Sequence, residues 1–296
     1  MALSRVADRG DWTAERPVLA DLLNAPPIHF HAVSGGYSPA KRAVVECADG
    51  TTRFVKAAVD AHTAAALRAE HRVYLHLSAD FMPRYYGFHE AELPLLVLED
   101  LRTARWTPPW LPGDVENVLQ MLDRVATAPA TIEFPKLSSY RSMDRRRWAA
   151  VAENPLPFLS LGLASEAWLA KALPALIDTE ASAPIEGDDL QHFDVRSDNL
   201  CLAQRGPVFD WNLACRGDRR VHVAFWLPSL HYEGGPAPWE VLPNEPGLAA
   251  LVSGFFASVA GLPTIPSAPH VRTVQQAQLR TALPWVVQAL GLADPV

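Results

Sequence analysis

Hydrophobic and polar positions in the first hundred residues form several short apolar runs that are typical of β-strands. The strand candidates, rich in β-branched and aromatic residues, are 28–33, 42–48, 51–59, 85–89 and 93–101. Asp49 and Gly50 form a typical two-residue hairpin turn between two of them. Residues 61–79 instead carry apolar side chains at helical spacing. These patterns predict a small antiparallel sheet with one long helix.

The pattern changes near residue 101, where helical periodicity replaces these short runs. The amphipathic candidates are 113–128, 165–177, 247–261 and 271–290, connected by proline-rich segments. Within them lies a short β-like island, with strands predicted at 199–203 and 206–211. We therefore expect an α+β fold with two domains. A small antiparallel-sheet N-terminal lobe would span residues 1–100, and a larger, mainly helical C-terminal lobe would span 101–296.

Composition narrows the class of protein. The 296 residues are 49% hydrophobic and 20% charged, which is typical of a folded globular chain. A net charge of −7 weighs against nucleic acid as a partner, because phosphate binding needs a basic face. The acidic balance would suit a cationic small molecule, although solubility alone also accounts for it.

Compartment and membrane contact follow from simple sequence features. No apolar run approaches the roughly 20 residues of a membrane span, so no membrane partner is expected. Three cysteines without paired spacing favour a reducing compartment, and the first 17 residues lack the apolar core of a secretory signal. These features predict a cytoplasmic protein; they leave its oligomeric state open.

The island carries the most informative polar residues. An antiparallel hairpin would bring the start of its first strand, Asn199, beside the end of its second, Asp210. Amide and carboxylate oxygens side by side suit Mg²⁺, which protein groups usually hold together with substrate phosphates. Asp194, five residues before Asn199, would then be placed to accept a proton from a substrate hydroxyl. A plain polar turn is the alternative, since Asp, Asn and Ser favour turns in any protein.

A site for metal and nucleotide phosphate predicts further partners upstream. Gly35 and Gly36, between two predicted strands, would let backbone N–H groups approach phosphate oxygens, or would simply form a hairpin turn. Lys56 lies in a predicted strand, and Glu70 lies on the apolar stripe of the following helix. A carboxylate on such a stripe is costly unless it is paired, and Lys56 is the nearest plausible cation. We therefore expect a Lys56–Glu70 ion pair.

Together, QHFDVRSDNL, VFDWN, Lys56 and Glu70 resemble the aminoglycoside phosphotransferase family, relatives of the protein kinases that phosphorylate small molecules. The resemblance runs from about residue 28 to about residue 230. It implies a bilobal protein-kinase-like fold and transfer of the γ-phosphoryl group of ATP, with Mg²⁺, to a small-molecule hydroxyl. The expected acceptors are an aminoglycoside-like antibiotic, an amino sugar, a sugar or an amino alcohol.

The same resemblance implies roles for individual residues. Asp194 would be the catalytic base, His192 would brace its loop, and Asn199 and Asp210 would hold Mg²⁺. The N-terminal lobe would bind the nucleotide, with Lys56 and Glu70 positioning its phosphates. By position alone, Glu99 and Leu101 match the hinge whose backbone receives adenine. Arg196 would contact the transferred phosphate or would be a solvated loop arginine.

Some positions depart from the family pattern. Phe193 stands where many relatives have glycine, and Trp211-Asn212 replaces the Phe-Gly of protein kinases. Relatives often carry an aspartate that braces the catalytic loop, but His222 occupies that position here. Either Asp218 substitutes for this aspartate, or the loop is braced differently. The departure keeps open an inactive, kinase-like regulatory protein.

The acceptor site is the least determined part of the prediction. Residues 225–240 would provide one wall, with aromatic rings able to stack on an acceptor and carboxylates able to meet its cationic groups. The candidates are Trp226, Glu233, Trp239 and Glu240. The alternative is that the tryptophans belong to the core and the glutamates are solvated. A hydrolytic metal site on His192 and Asp194 lacks the further His or Cys ligands usually needed.

Overall fold

The chain has an α+β fold, described here from a computed structural model that covers residues 11–33, 38–202, 208–266 and 268–296. Its strands are β1 Pro27–Ala32, β2 Lys41–Cys47, β3 Thr52–Ala57, β4 Tyr85–His89, β5 Leu95–Glu99, β6 Arg105–Trp106, β7 Asp189–Gln191, β8 Cys201–Leu202 and β9 Cys215–Gly217. Its α-helices are α1 Arg16–Leu23, α2 Ala61–His76, α3 Asp114–Ala126, α4 Arg147–Glu153, α5 Leu156–Leu159, α6 Glu166–Ala181, α7 Arg220–Tyr232, α8 Pro238–Val241, α9 Pro246–Val259 and α10 Val271–Ala289. Short 3₁₀ helices lie at Leu137–Ser139, Arg141–Met143 and Trp211–Leu213.

The chain divides into two compact units. The first contains the described residues up to Thr107, together with Pro129–Ile132 and the described part of Asp198–Leu213. The second contains Pro108–Ala128, Glu133–Ser197 and the described residues from Ala214 to Val296. The chain therefore passes from the second unit into the first after Ser197. The domain boundary predicted between residues 100 and 101 stays a prediction.

The first unit is built on a five-stranded antiparallel sheet in the order β1-β2-β3-β5-β4. The predicted hairpin between β2 and β3 is present: Gly50 has φ +81°, and the Asp49 carboxylate accepts the Thr51 N–H at 3.0 Å. Glycine suits this turn because a left-handed backbone costs it nothing. The predicted α+β class with an antiparallel sheet is confirmed.

The two faces of this sheet bury different side chains. Val55, Ala57 and Val97 on one face join a buried apolar cluster that includes Leu19 of α1. Because successive strand residues point to opposite faces, Lys56 projects to the other face, on the rung shared with Arg42 and Leu96. Its partner there comes from helix α2.

Helix α2 begins where its capping residues dictate. The Asp60 side chain accepts the Thr63 N–H at 2.7 Å, while the Thr63 hydroxyl accepts the Asp60 N–H at 3.1 Å. This reciprocal capping box satisfies backbone donors that the first turn leaves unpaired. The helix then buries one stripe, which includes Leu67, Glu70 and Val73. Fixing its first residue fixes where Glu70 meets the sheet.

The second unit is mainly helical. Helix α9 is central, packing against α4, α6 and α10, and is buried around most of its circumference. A small residue is needed where α9 passes closest to its neighbours, because a Cβ at Gly254 would stand 2.7 Å from both Glu180 Oε1 and Trp148 Cδ1. The strands β7 and β9 pair with each other, and β7 packs against α3. No helix of the described residues is long and apolar enough to cross a membrane.

Glu180 is a buried carboxyl group that connects two helices of this unit. It lies on α6 and is fully buried, and its Oε2 accepts the Trp148 N–H of α4 at 2.9 Å. The contact caps α4, which has no capping side chain of its own. Burial raises the pKa of Glu180 from 4.5 to about 7. The folded protein therefore holds this proton at pH values where the unfolded chain has lost it.

We expect Glu180→Gln to remove a pH-dependent loss of stability. Between pH 4.5 and 7 the wild-type folded state binds more protons than the unfolded state, so its stability falls as pH rises. The free energy of unfolding of Glu180→Gln relative to wild type should rise by about 2 kcal/mol between pH 5 and pH 8. Urea unfolding at both pH values measures this. The exposed Glu166→Gln on the same helix is the control. If the difference in free energy of unfolding from wild type is the same at pH 5 and pH 8 for Glu180→Gln, as expected for the control, the raised pKa of Glu180 is contradicted.

Candidate active site

Lys56 and Glu70 lie in contact in the first unit. The Lys56 Nζ donates to both carboxylate oxygens of Glu70, at 2.8 and 3.1 Å. Lys56 is 3% exposed and Glu70 is 1% exposed, so each charge depends on the other for stabilisation. Strand alternation and the α2 stripe thus bring together the two residues that the sequence pattern paired.

Asp210 is a second partner of the same ammonium. Its Oδ1 lies 2.6 Å from Lys56 Nζ, across 154 residues of sequence. Burial opposes a charge on Lys56, but the carboxylates of Asp210 and Glu70 outweigh it, and the pKa of Lys56 is raised. Lys56 therefore stays cationic at physiological pH. This direct contact between the lysine and the predicted metal ligand was not expected from the sequence.

Asn199 and Asp210 approach each other through a short antiparallel contact. Leu200 and Val208 form an isolated bridge, and the Phe209 N–H donates to the Asn199 carbonyl oxygen at 2.8 Å. The predicted strand 206–211 is wrong at its end. Asp210 has φ +63° and Trp211 begins a 3₁₀ helix, held by an indole N–H bond to the Val208 carbonyl at 2.8 Å. The direction of the Asp210 carboxylate is therefore set by the left-handed backbone of Asp210 itself, and not by the alternation of side chains along a strand.

The predicted hinge residues lie at the end of β5. The Glu99 N–H donates to the Arg84 carbonyl at 2.9 Å, and the Glu99 carboxylate accepts the Arg84 N–H at 3.0 Å. The Leu101 carbonyl accepts both the Ala104 N–H and the Trp106 indole N–H, at 3.0 and 3.1 Å. These bonds fix the backbone after β5, and adenine recognition by it stays a prediction. Gly35 and Gly36 lie outside the described residues.

In the second unit, His192 and Asp194 form a tight turn. The Asp194 N–H donates to Nδ1 of the fully buried His192 at 3.2 Å. This bond requires Nδ1 to be unprotonated, so the neutral imidazole carries its hydrogen on Nε2. The histidine thereby holds the backbone of the aspartate that follows it, which is the bracing position predicted for it.

Phe193, between them, adopts a left-handed backbone conformation of the kind that glycine takes without strain. Its φ is +63°, a left-handed value that costs a non-glycine residue about 1–2 kcal/mol. Its ring packs against Tyr140 and Phe225, with centroids 6.0 and 5.6 Å away. Aromatic contacts of this kind offset strain of that size. Phe193 thus combines a left-handed backbone with ring contacts that anchor it to Tyr140 and Phe225.

Arg196 contacts Asp194 directly. Its Nη1 lies 3.3 Å from Asp194 Oδ1, and both side chains are mostly shielded from solvent. The reading of Arg196 as a solvated loop residue is therefore wrong in this structure. A cation beside the predicted base is compatible with the phosphate role, which stays a prediction.

His222 and Asp218 resolve how the loop is braced. Burial and the nearby His192 and Arg219 lower the pKa of His222 to about 3, so this imidazole is neutral at physiological pH. The Asp218 carboxylate accepts from Arg220 Nη2 at 2.6 Å. Its backbone carbonyl accepts the Gln191 side-chain N–H at 3.0 Å. The loop is thus held through Gln191 and the β7–β9 pairing, while the Asp218 carboxylate is engaged with Arg220.

The predicted acceptor wall is only partly available to a ligand. Trp226 is 0% exposed and packs against Trp110, so the prediction that it stacks on an acceptor is wrong. Glu240 caps α8 by accepting the Ala237 N–H at 2.6 Å. Trp239 is half-buried, with its ring 6.2 Å from that of His231.

Glu233 has partners that sequence reasoning missed. Its carboxylate accepts from the Ser197 hydroxyl and from the Trp110 indole N–H. Ser197 lies within the segment QHFDVRSDNL, but only its position in the folded chain connects it to Glu233. Trp110 follows two prolines and gave no periodic signal.

The donor set at Asn199 and Asp210 suits a hard cation. Both offer oxygen, and Asn199 is 3% exposed. In the described part of the chain, no three His, Cys, Asp or Glu side chains gather into a metal cage. An amide oxygen and a carboxylate oxygen are ligands of the kind that Mg²⁺ uses when nucleotide phosphates complete its shell. The residues therefore fit the predicted metal.

Comparisons with known proteins agree on family and fold. The sequence model of the phosphotransferase enzyme family matches residues 29–242. An amicoumacin kinase in complex with AMP-PNP, Ca²⁺ and its ligand superposes with a TM-score of 0.54 at 10% identity, over 90% of this chain and 93% of that one. No curated protein matches the sequence.

Two further solved structures are similar in fold. A macrolide 2′-phosphotransferase type I gives a TM-score of 0.51 at 17% identity, over 97% of this chain and 99% of that chain. The choline kinase of Cryptosporidium parvum gives 0.51 at 8% identity, over 94% of each chain. At such identities the likeness shows the fold alone, and that fold is the kinase-like one predicted.

We expect Lys56→Met to destabilise the protein strongly. The substitution leaves Glu70 buried without its cation, and breaking a buried pair from one side costs about 3–5 kcal/mol. Lys56→Met/Glu70→Met should recover most of that loss, because the two fully buried charges are then gone and the remaining carboxylate, Asp210, is partly exposed to solvent. Urea unfolding compares the variants, with the exposed Lys171→Met as the matched control. A Lys56→Met protein as stable as this control would contradict the role of the pair in the fold.

Proposed function

Because the chain belongs to the phosphotransferase enzyme family, we propose that it transfers the γ-phosphoryl group of ATP to a hydroxyl group of a small molecule. The observation that carries this proposal is the buried contact of Lys56 with both Glu70 and Asp210. An ammonium held by two carboxylates is an expensive arrangement for structure alone. The Lys56–Glu70 pair is the part of this arrangement that phosphate positioning by a kinase-type lysine requires.

The first unit supplies the nucleotide-binding groups of this proposal. Lys56 neutralises charge on the α- and β-phosphates, and Glu70 keeps its ammonium in place. Asn199 and Asp210 provide the oxygen ligands for Mg²⁺, which when bound neutralises phosphate charge. Glu99 and Leu101 would contribute backbone groups to adenine binding.

The second unit supplies the group that acts on the acceptor. Asp194 accepts the hydroxyl proton as the acceptor oxygen forms its bond to the γ-phosphorus. The bond from that phosphorus to the β–γ bridging oxygen breaks, and ADP leaves with the electron pair. Arg196, beside Asp194, stabilises negative charge on the transferred group. Such transfer needs positioning and charge neutralisation more than covalent participation by the protein.

The acceptor class is proposed from the acidic composition and from the relatives. The similar structures include kinases named for amicoumacin and choline and a phosphotransferase named for macrolides. We propose a hydroxyl-bearing molecule with a cationic group, of the antibiotic or amino-alcohol type. Trp239 remains a candidate contact for it. A cytoplasmic location is part of this proposal, because the three cysteines have no paired spacing in the sequence.

Release of ADP with a panel of aminoglycosides, macrolides, choline, ethanolamine and amino sugars tests this function. On any accepted substrate, Asp194→Asn should lower kcat by about 10²- to 10⁴-fold, because proton acceptance in the transition state is lost. The exposed Asp178→Asn should retain wild-type kcat.

Two outcomes would overturn the proposal in different ways. Full activity of Asp194→Asn would remove the assigned base. Binding of AMP-PNP and Mg²⁺ with no ADP release from any acceptor would favour the inactive, regulatory alternative.

A further inference from the structure

Glu233 stands at a fixed point of the second unit. It directly follows helix α7, and its N–H donates to the Ser229 carbonyl at 3.0 Å. Gly234 then takes φ +93° and turns the chain away. Its backbone is therefore set by the end of a buried helix, and the carboxylate projects from a rigid base.

Both carboxylate oxygens of Glu233 accept hydrogen bonds. Oε1 lies 2.5 Å from the Ser197 hydroxyl, and Oε2 lies 3.0 Å from the Trp110 indole nitrogen. Bonds from neutral donors to a carboxylate are shorter and stronger than bonds between neutral groups. Glu233 thus joins two segments that are 87 residues apart in sequence.

The two donors differ in what holds them. Trp110 packs against the fully buried Trp226, with ring centroids 5.6 Å apart, so this side belongs to the core of the unit. Ser197 lies in the loop that carries the predicted base, directly after Arg196, and is the last residue before the chain leaves this unit. Glu233 therefore ties a functional loop to a packed core.

The bond between Glu233 and Ser197 complements the contacts at the other end of the loop. There, His192 holds the Asp194 N–H, and the Phe193 ring packs against Phe225 of the same helix α7. The loop is thus anchored at two points: Phe193 packs against helix α7, and Ser197 bonds to Glu233, which directly follows that helix. Removing one anchor leaves Asp194 fixed from one side only.

We propose that Glu233 is a positioning residue that holds the 194–197 loop through Ser197, and that it is not a contact for the acceptor. The proposal rests on the function proposed above, because it assumes that Asp194 acts on the acceptor hydroxyl. Displacement of a catalytic group by about 1 Å can lower a rate by about 100-fold. Ser197 is three residues from Asp194, so loss of its bond to Glu233 should allow a displacement of Asp194 of this order.

Steady-state kinetics of Ser197→Ala, Glu233→Ala and the double variant test the proposal. Each single variant should lower kcat by about 10- to 100-fold with little change in KM for the acceptor, and the double variant should be no worse than either. Glu233→Gln should retain more activity than Glu233→Ala, because glutamine can accept from Trp110 and interact with the Ser197 hydroxyl. The exposed Glu166→Ala and Ser160→Ala serve as controls.

An acceptor-binding role gives a different pattern. If Glu233 met a cationic group, Glu233→Ala would raise KM for cationic acceptors and spare neutral ones, while Ser197→Ala would leave kinetics unchanged. That pattern would overturn the proposal.

Amide hydrogen exchange separates failure of this inference from failure of the proposed function. In nucleotide-free protein, peptides covering 192–199 should exchange faster in Ser197→Ala and Glu233→Ala than in wild type and the controls. Unchanged exchange in both variants would overturn the positioning role even if the protein is an active kinase. Faster exchange in both variants of a protein that releases no ADP would support the role of Glu233 in holding the loop, and would contradict only the proposed phosphotransferase function.

Discussion

One buried ammonium organises the first unit. Lys56 projects from the centre of the sheet against two carboxylates, one from the following helix and one from a segment more than 150 residues later. Desolvation works against the charges of Lys56 and Glu70, and only contact with an opposite charge makes their burial tolerable. The start of α2, the alternation of β3 and the left-handed backbone at Asp210 all have to agree for the contact to exist. A different register of α2 or β3 would leave Lys56 or Glu70 buried without its partner, so the ion pair favours this one arrangement.

The two contacts of Lys56 differ in how far the sequence could predict them. The contact with Glu70 follows from two local periodicities, because period 2 in the strand and the helical spacing in α2 each direct one residue inward. Asp210 depends on a left-handed residue and a 3₁₀ turn, and the pattern of VFDWN reads equally well as a strand. Local hydrophobicity does not encode such a backbone reversal when the residue is not glycine. The sequence therefore predicted the residues of this cluster but not all of their contacts.

The same limit explains the misplaced tryptophan. Helix α7 buries Val221–Ala224 and Trp226–Leu230, so nearly all of its circumference faces protein. A helix that is hydrophobic all round has no polar face by which periodicity could separate core residues from ligand contacts. Trp226 and Glu233 looked alike as members of one wall. In space, the first is core and the second closes a hydrogen-bonded link between a loop and that core.

The loop of the second unit shows how the residues that depart from the predicted pattern are accommodated. Phe193 takes the φ value that glycine would take, and the strain is offset by packing with Tyr140 and Phe225. His222, in the place where the resemblance predicts an acidic residue, is kept neutral chiefly by burial. Gln191 and Ser197 then hold the loop through uncharged hydrogen-bond donors. These contacts restrain the loop on both sides of the His192–Asp194 turn, on which proton acceptance would depend.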